Sequence, residues 1–284
     1  MTDLPPKPPA RPDKVSPWRY LRLFQRDILS AQPARLYGAW MAAFRTPFFR
    51  SYLVNDPALI RQVLNVRPDD FPKSDRIGAG LRPLLGDSVF LTNGEVWKRQ
   101  RRIIDPAFEG GRLRDTFPAI RAAGDGAVTR WADLADGTPQ EVEALTSHLA
   151  ADVIFRTLFS IPIEDAVAEK VFTAFRAYQR TQPLLNLAAF VPGPRWMPRL
   201  FRPGTRQAAR DIRALITELT AERLAMIAAG TAPDDLATKI MTTTDPETGE
   251  GFSLPEMVDQ VAIFFLAGHE TSASALAWAL YLLA

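Results

Sequence analysis

The stretch that most constrains the fold runs from Ser253 to Ala284. Ser253 followed three residues later by Glu256 has the form of a capping box, and Pro255 falls in the first turn, where a missing backbone N–H does no harm. From there the chain is apolar almost all round, so the predicted helix lies either in the centre of a large domain or in a membrane. Glu270 near its middle makes it a poor membrane span, because insertion scales penalise a central acid by about 2.5–3.5 kcal/mol.

Steps of three and four residues from Phe264 reach Ala267, Gly268, Thr271, Ser272 and Ala275, all small. A groove of small residues on a buried helix implies something bulky against it. Gly268 costs about 1 kcal/mol relative to alanine in a helix interior, which is tolerated where a backbone or ligand comes close. Glu270 in an apolar interior needs a partner, water or a bound proton, and beside the hydroxyl of Thr271 it can relay protons. On the residues alone two readings stay open: a functional groove, and a plain buried helix with one satisfied acid.

Ala267-Gly268-His269-Glu270-Thr271 resembles the Ala/Gly-Gly-x-Asp/Glu-Thr signature of the central helix of the cytochrome P450 family, the heme-thiolate monooxygenases. A second motif agrees. Gly94-Glu95-Val96-Trp97-Lys98-Arg99-Gln100-Arg101-Arg102, running on to Pro106-Ala107-Phe108, is similar to that family's Gly-x-x-Trp-x-x-x-Arg-Arg helix. Trp97 and Arg101 project from one face, where an indole N–H and a guanidinium suit a carboxylate, although a surface arginine stacked on tryptophan has the same spacing.

The resemblance implies a mainly α fold with a small β-sheet, a P450 fold left incomplete, with residues 1–18 as a flexible Pro-rich arm and 19–284 as the N-terminal part of one domain. It implies heme as cofactor, bound by Trp97, Arg101, Ala267, Gly268 and Thr271, with Glu270 and Thr271 catalytic. O2, an apolar small-molecule substrate and a ferredoxin- or flavodoxin-type electron donor follow as partners. Lys98, Arg99 and Arg102 fall near the donor's docking face, unless they are ordinary solvated charges. Phe90 and Phe264 are pocket candidates. His269 holds the variable position of the motif and is not expected to ligate iron.

Composition limits what this chain can do. None of its 284 residues is cysteine, so the axial thiolate of a heme-thiolate enzyme is absent and the chain alone is expected to be inactive. Ending inside the central helix, it is expected to expose apolar groove surface and unpaired strand edges, and so to be poorly soluble or molten. Two further readings remain: a truncated, non-catalytic helical protein that binds a hydrophobic ligand, and a peripheral membrane protein.

Residues 1–50 carry nine Lys or Arg against three Asp, a balance of +6 that leaves −4 for the remainder of a chain whose net charge is +2. An anionic membrane surface could use that basic end, but its prolines break it into no block. No nucleic-acid partner and no transmembrane anchor are expected, and without a secretory signal the chain reads as a cytoplasmic protein of the soluble, bacterial type.

Coarser features complete the reading. Helical spacing runs through Leu21, Phe24 and Ile28 and again through Leu36, Trp40 and Phe44, before a strand over Phe48–Val54 and a helix capped by Asp56-Pro57. Residues 72–91 lack a period and read as a long loop over the pocket. Thr92-x-x-Glu95 reads as a capping box, and Leu145–Ile161, 165–182, 206–229 and Asp234–Met241 as helices, with a Pro/Gly-broken lid over 183–205.

Overall fold

A computed structural model describes residues 9–27, 29–45, 50–181 and 204–284. Backbone contacts divide the chain into two compact units, Met1–Gly80 with Pro183–Leu200, and Leu81–Gln182 with Phe201–Ala284. The expected lid over 183–205 falls almost wholly outside the described residues.

In the first unit, Ser16 caps α1 (Pro17–Arg26) by accepting the Arg19 N–H at 3.3 Å. The helical spacing through Leu36, Trp40 and Phe44 does not become a helix. A single 3-10 turn over Ala34–Gly38 gives way at Ala39 to extended backbone, and Met41–Arg45 is strand β1. It pairs antiparallel with β2 (Arg50–Val54), Met41 opposite Val54 and Arg45 opposite Arg50. Cross-strand pairing outweighs the local period, because propensity is a weak prior against a ladder of hydrogen bonds. Among the described residues the sheet has two strands, so each has one edge without a neighbour. Asp56 caps α2 (Pro57–Arg61), its carboxylate accepting the N–H of Ala58 at 2.8 Å and of Leu59 at 3.0 Å.

The second unit is helical. The expected loop at 72–91 contains α3 (Asp75–Leu85), which begins in the first unit and ends in the second; its Gly78, Gly80 and Pro83 obscure its period, while Leu84 and Leu85 are fully buried. After it come α4 (Gly94–Ile104), α5 (Arg112–Ala132), α6 (Val142–Phe159), α7 (Ala166–Thr181), α8 (Thr205–Ala228), α9 (Leu236–Thr242) and α10 (Leu254–Leu283). The sequence gives no sign of α5, which carries Pro118, Gly124 and Gly126 within its span. At α4 the expected capping box is replaced: Asn93 is the cap residue, and the Thr92 hydroxyl is buried against Gln100 and the Ser88 carbonyl.

The core joins Phe155, Phe159 and Leu158 of α6, Phe175 of α7, Ile212 and Ile216 of α8, and Val261, Ala262 and Phe265 of α10. Ser160 ends α6 in the left-handed conformation with φ 56°, rare for a residue with a Cβ. Its hydroxyl donates to Asp235 at 2.8 Å. Asp235 also caps α9 and pairs with buried Arg223 of α8, so one carboxylate ties three helices together.

Candidate active site

The motif Ala267–Thr271 lies where α10 changes character. Its capping box forms as expected, with Glu256 Oε2 accepting from the Ser253 N–H at 2.9 Å and hydroxyl at 2.8 Å. From Met257 to Ile263 every residue is buried, but after Ala273 every residue is half-buried or exposed. The helix is therefore not buried all round.

Within the motif, successive residues turn opposite ways. Gly268 meets α6: a Cβ there would overlap the Ile154 side chain, so the glycine serves helix-to-helix packing. His269 is 6% exposed, its Nε2 lying 2.6 Å from the Ser147 hydroxyl and its ring edge-on to Phe172 at 5.7 Å. Ala267, Glu270 and Thr271 lie on the open side. The small-residue face inferred from sequence is thus split, Gly268 inward and Ala267 with Thr271 outward.

Glu270 has no hydrogen-bond or ion-pair partner among the described residues, and the apolar surroundings push its carboxyl above the usual range. The Thr271 hydroxyl donates to the Ala267 carbonyl at 2.6 Å, which leaves its oxygen lone pairs directed outward. Phe264, one turn before, is half-buried and meets Phe108 edge-on with ring centroids 6.0 Å apart. An acid biased toward its protonated form beside a hydroxyl acceptor can store and hand on a proton.

Trp97 is half-buried on α4, and Arg101 is exposed, its Nε 3.0 Å from Asp105. The two share a face of the helix, as their spacing requires. Phe90, a pocket candidate, is 50% exposed.

Arg99 and Arg102 differ from expectation. Arg99 donates to Glu256 and to the Gly251 carbonyl, each at 2.7 Å, and Arg102 grips Asp245 bidentately at 2.6 and 3.0 Å. Asp245 is fully buried, and the Arg102 guanidinium holds its carboxyl well below the usual range. Both arginines latch α4 to the start of α10 and the turn before it, so neither is free to dock an electron donor.

Sequence reasoning missed Asp259. It accepts the Asp87 N–H at 2.7 Å and pairs with Arg213 at 2.7 Å, while Gly86, at φ 52°, leaves no room for a Cβ against its carboxylate. Its signal in the sequence is an acid within an apolar helical run, the same signal that Glu270 carries. Ser147 carried no sequence signal, because a lone serine in a helix gives no hint of what it faces.

A sequence model described as Cytochrome P450 matches residues 37–284. Cyclooctat-9-en-7-ol 5-monooxygenase of Streptomyces melanosporofaciens is 32% identical over 82% of this chain and 49% of its own length. Cytochrome P450 72A15 of Arabidopsis thaliana is 28% identical over 88% of this chain and 48% of its own. The chain thus spans about half the length of these curated relatives. A solved cytochrome P450DA heme domain superposes with a TM-score of 0.68 at 23% identity, covering 97% of this chain and 59% of that one, which establishes the shared fold. Two separate helices carry the expected motifs in the expected register, and the family match runs across both: this chain belongs to the cytochrome P450 family.

Proposed function

We propose that the chain forms the oxygen-side half of a heme monooxygenase that oxidises an apolar small molecule with electrons from a redox partner. The observation that carries this reading is the open face of α10, where an unpartnered acid with a raised pKa stands next to a threonine hydroxyl.

Heme is the family's cofactor. The residues present fit part of what it requires. Trp97 and Arg101 offer an N–H and a guanidinium on one face of α4 for its carboxylates, with Arg101 exchanging its exposed pair to Asp105 for them. Ala267 presents only a methyl group on the open face of α10, which leaves space for a diatomic ligand. None of the 284 residues can supply a thiolate, so that ligand comes from outside them and these residues alone are inactive.

When bound, the heme supplies the oxygen activation. Glu270 holds a proton at a higher pH than an ordinary carboxyl, and the Thr271 hydroxyl, its own proton given to the Ala267 carbonyl, offers its oxygen as a hydrogen-bond acceptor on the same open face. Phe264 and Phe90 offer apolar surface to the substrate. A ferredoxin or flavodoxin is the proposed donor, and a soluble, cytoplasmic, bacterial-type enzyme the proposed setting. Among the described residues no helix is long and apolar enough to cross a membrane, and the relatives include both a Streptomyces enzyme and plant proteins. Cell fractionation tests the setting.

The function is tested by joining the chain to the C-terminal half of the Streptomyces relative and recording the carbon monoxide difference spectrum of the reduced protein. A thiolate-heme band with product formation supports the reading. Glu270→Gln and Thr271→Ala should then lower product per electron by about 10²-fold, the usual loss on removing a positioned proton donor. Full product yield in both variants would sink it. A second reading, a non-catalytic binder of hydrophobic molecules, draws on exposed Trp278, Tyr281 and Leu282 and predicts ligand binding without heme uptake.

A further inference from the structure

We infer that His269 is a positioning residue: its hydrogen bond to Ser147 sets the rotation of α10 that turns Glu270 and Thr271 to the open face. The inference rests on the oxygen-side reading of α10.

Consecutive residues of a helix are about 100° apart, so a modest rotation of α10 would carry Glu270 toward α7 and His269 out of its seat. Something must fix that angle. Glu256, Asp259 and Gln260 anchor the first turns of α10, and two turns further on the close fit of Gly268 against Ile154 is joined by one buried, directional hydrogen bond, from His269. Beyond Gln260, His269 is the only buried residue of α10 with a polar side chain.

Its polar contacts are specific. The Ser147 hydroxyl and Nε2 share a hydrogen bond at 2.6 Å, and the Gln179 side-chain amide lies 3.5 Å from Nδ1. Three helices meet at one ring: Ser147 is on α6, Gln179 on α7 and His269 on α10.

The void beside the ring, bounded by Phe155, Phe172, Phe175 and Phe265, is about 10 Å³, the lower limit for a single water, and its other lining is apolar. The charged groups that act on His269 are Glu143 of α6 and Arg176 of α7, 3.5 Å from each other. The second histidine, His148, also stands edge-on to Phe172, at 5.6 Å, with Arg130 3.3 Å from its Nδ1. Burial and Arg176 both favour the neutral ring.

The test uses the 284-residue chain without heme, so that it stands or falls separately from the oxygenase reading. His269→Phe keeps an aromatic ring and removes both nitrogens, Ser147→Ala removes the hydroxyl, and His269→Gln restores a polar side chain that can either donate or accept. Two readouts apply: carbodiimide labelling of Glu270 relative to Glu256, quantified by mass spectrometry, and hydrogen exchange of the motif between about pH 5 and 8. In His269→Phe and Ser147→Ala, relative labelling of Glu270 should change several-fold. Exchange at 266–272 should rise roughly tenfold, the effect of losing one buried hydrogen bond. His269→Gln should restore both, while the loss of motif protection expected at acid pH in the unmodified chain should be absent from it. Unchanged relative labelling in both His269→Phe and Ser147→Ala, or an equal rise in exchange across α6, α7 and α8, would overturn the inference. If His269→Phe fails to fold, Ser147→Ala, which deletes a single atom, decides the matter.

Discussion

The two halves of α10 are both largely apolar and have opposite surroundings. From Met257 to Ile263 the helix is buried, and this half is held by polar anchors: Glu256 to Arg99, Asp259 to Arg213 and the Asp87 N–H, and Gln260 to the Val89 N–H at 2.9 Å. From Ser274 onward there is no such anchor among the described residues, and Trp278, Tyr281, Leu282 and Leu283 are more than half exposed. Hydrophobicity does not distinguish the halves; the acids do. A buried carboxylate persists only where partners are built around it, so Asp259 marks where α10 is enclosed and Glu270 where the enclosure ends.

The largest effect is expected in the enclosed half. Asp259→Ala leaves Arg213 and the Asp87 N–H without their partner and should cost about 3–5 kcal/mol, read by chemical denaturation. A loss below about 1 kcal/mol would mean that the anchor is ornamental and the contrast false.

Next comes the junction. Gly268→Ala places a methyl against Ile154 Cδ1, and overpacking of this kind costs about 1–3 kcal/mol. Adding Ile154→Val removes that Cδ1 atom and should recover most of the loss. A double-mutant cycle with no coupling would show that Gly268 is there for another reason.

In the open half, Trp278→Ser should change stability by no more than about 0.5 kcal/mol. A larger loss would reveal that this surface is covered in solution.

Protonation gives the finest test. His269 and His148 both have pKa values lowered from 6.5, chiefly by burial. The unfolded chain then takes up protons that the folded chain refuses, so their contribution is fully present above 6.5 and is lost as pH falls toward the lowered values. Glu270 has the opposite sign. Its raised pKa makes the folded state less stable as pH rises through and above 4.5, so Glu270→Gln should stabilise slightly at neutral pH. Melting curves across pH, with and without each substitution, separate the two.

What could be read from sequence followed the same division. Helix ends marked by local chemistry were legible, as at Asp56-Pro57 and Ser253-x-x-Glu256, because a cap depends on neighbours along the chain. Helices α3 and α5 were not, since their prolines and glycines break the period while tertiary contacts keep them folded. In the site, the motif announced Glu270 and Thr271, and helical spacing put Trp97 beside Arg101. Spacing could not say which side of α10 faces the protein. That depends on Ile154 and Ser147, more than a hundred residues earlier.

Helix α4 has one more consequence. Its four cations each lie against an acid: Lys98 on Glu95, Arg99 on Glu256, Arg101 on Asp105, and Arg102 on both Asp245 and Glu247. Read as letters, the helix is a positive rod; in the far field it is close to electrically silent. An anionic protein approaching from beyond a Debye length, about 8 Å at physiological ionic strength, feels little pull from it. Association at this face would therefore be governed by short-range fit, with a rate nearly flat against added salt.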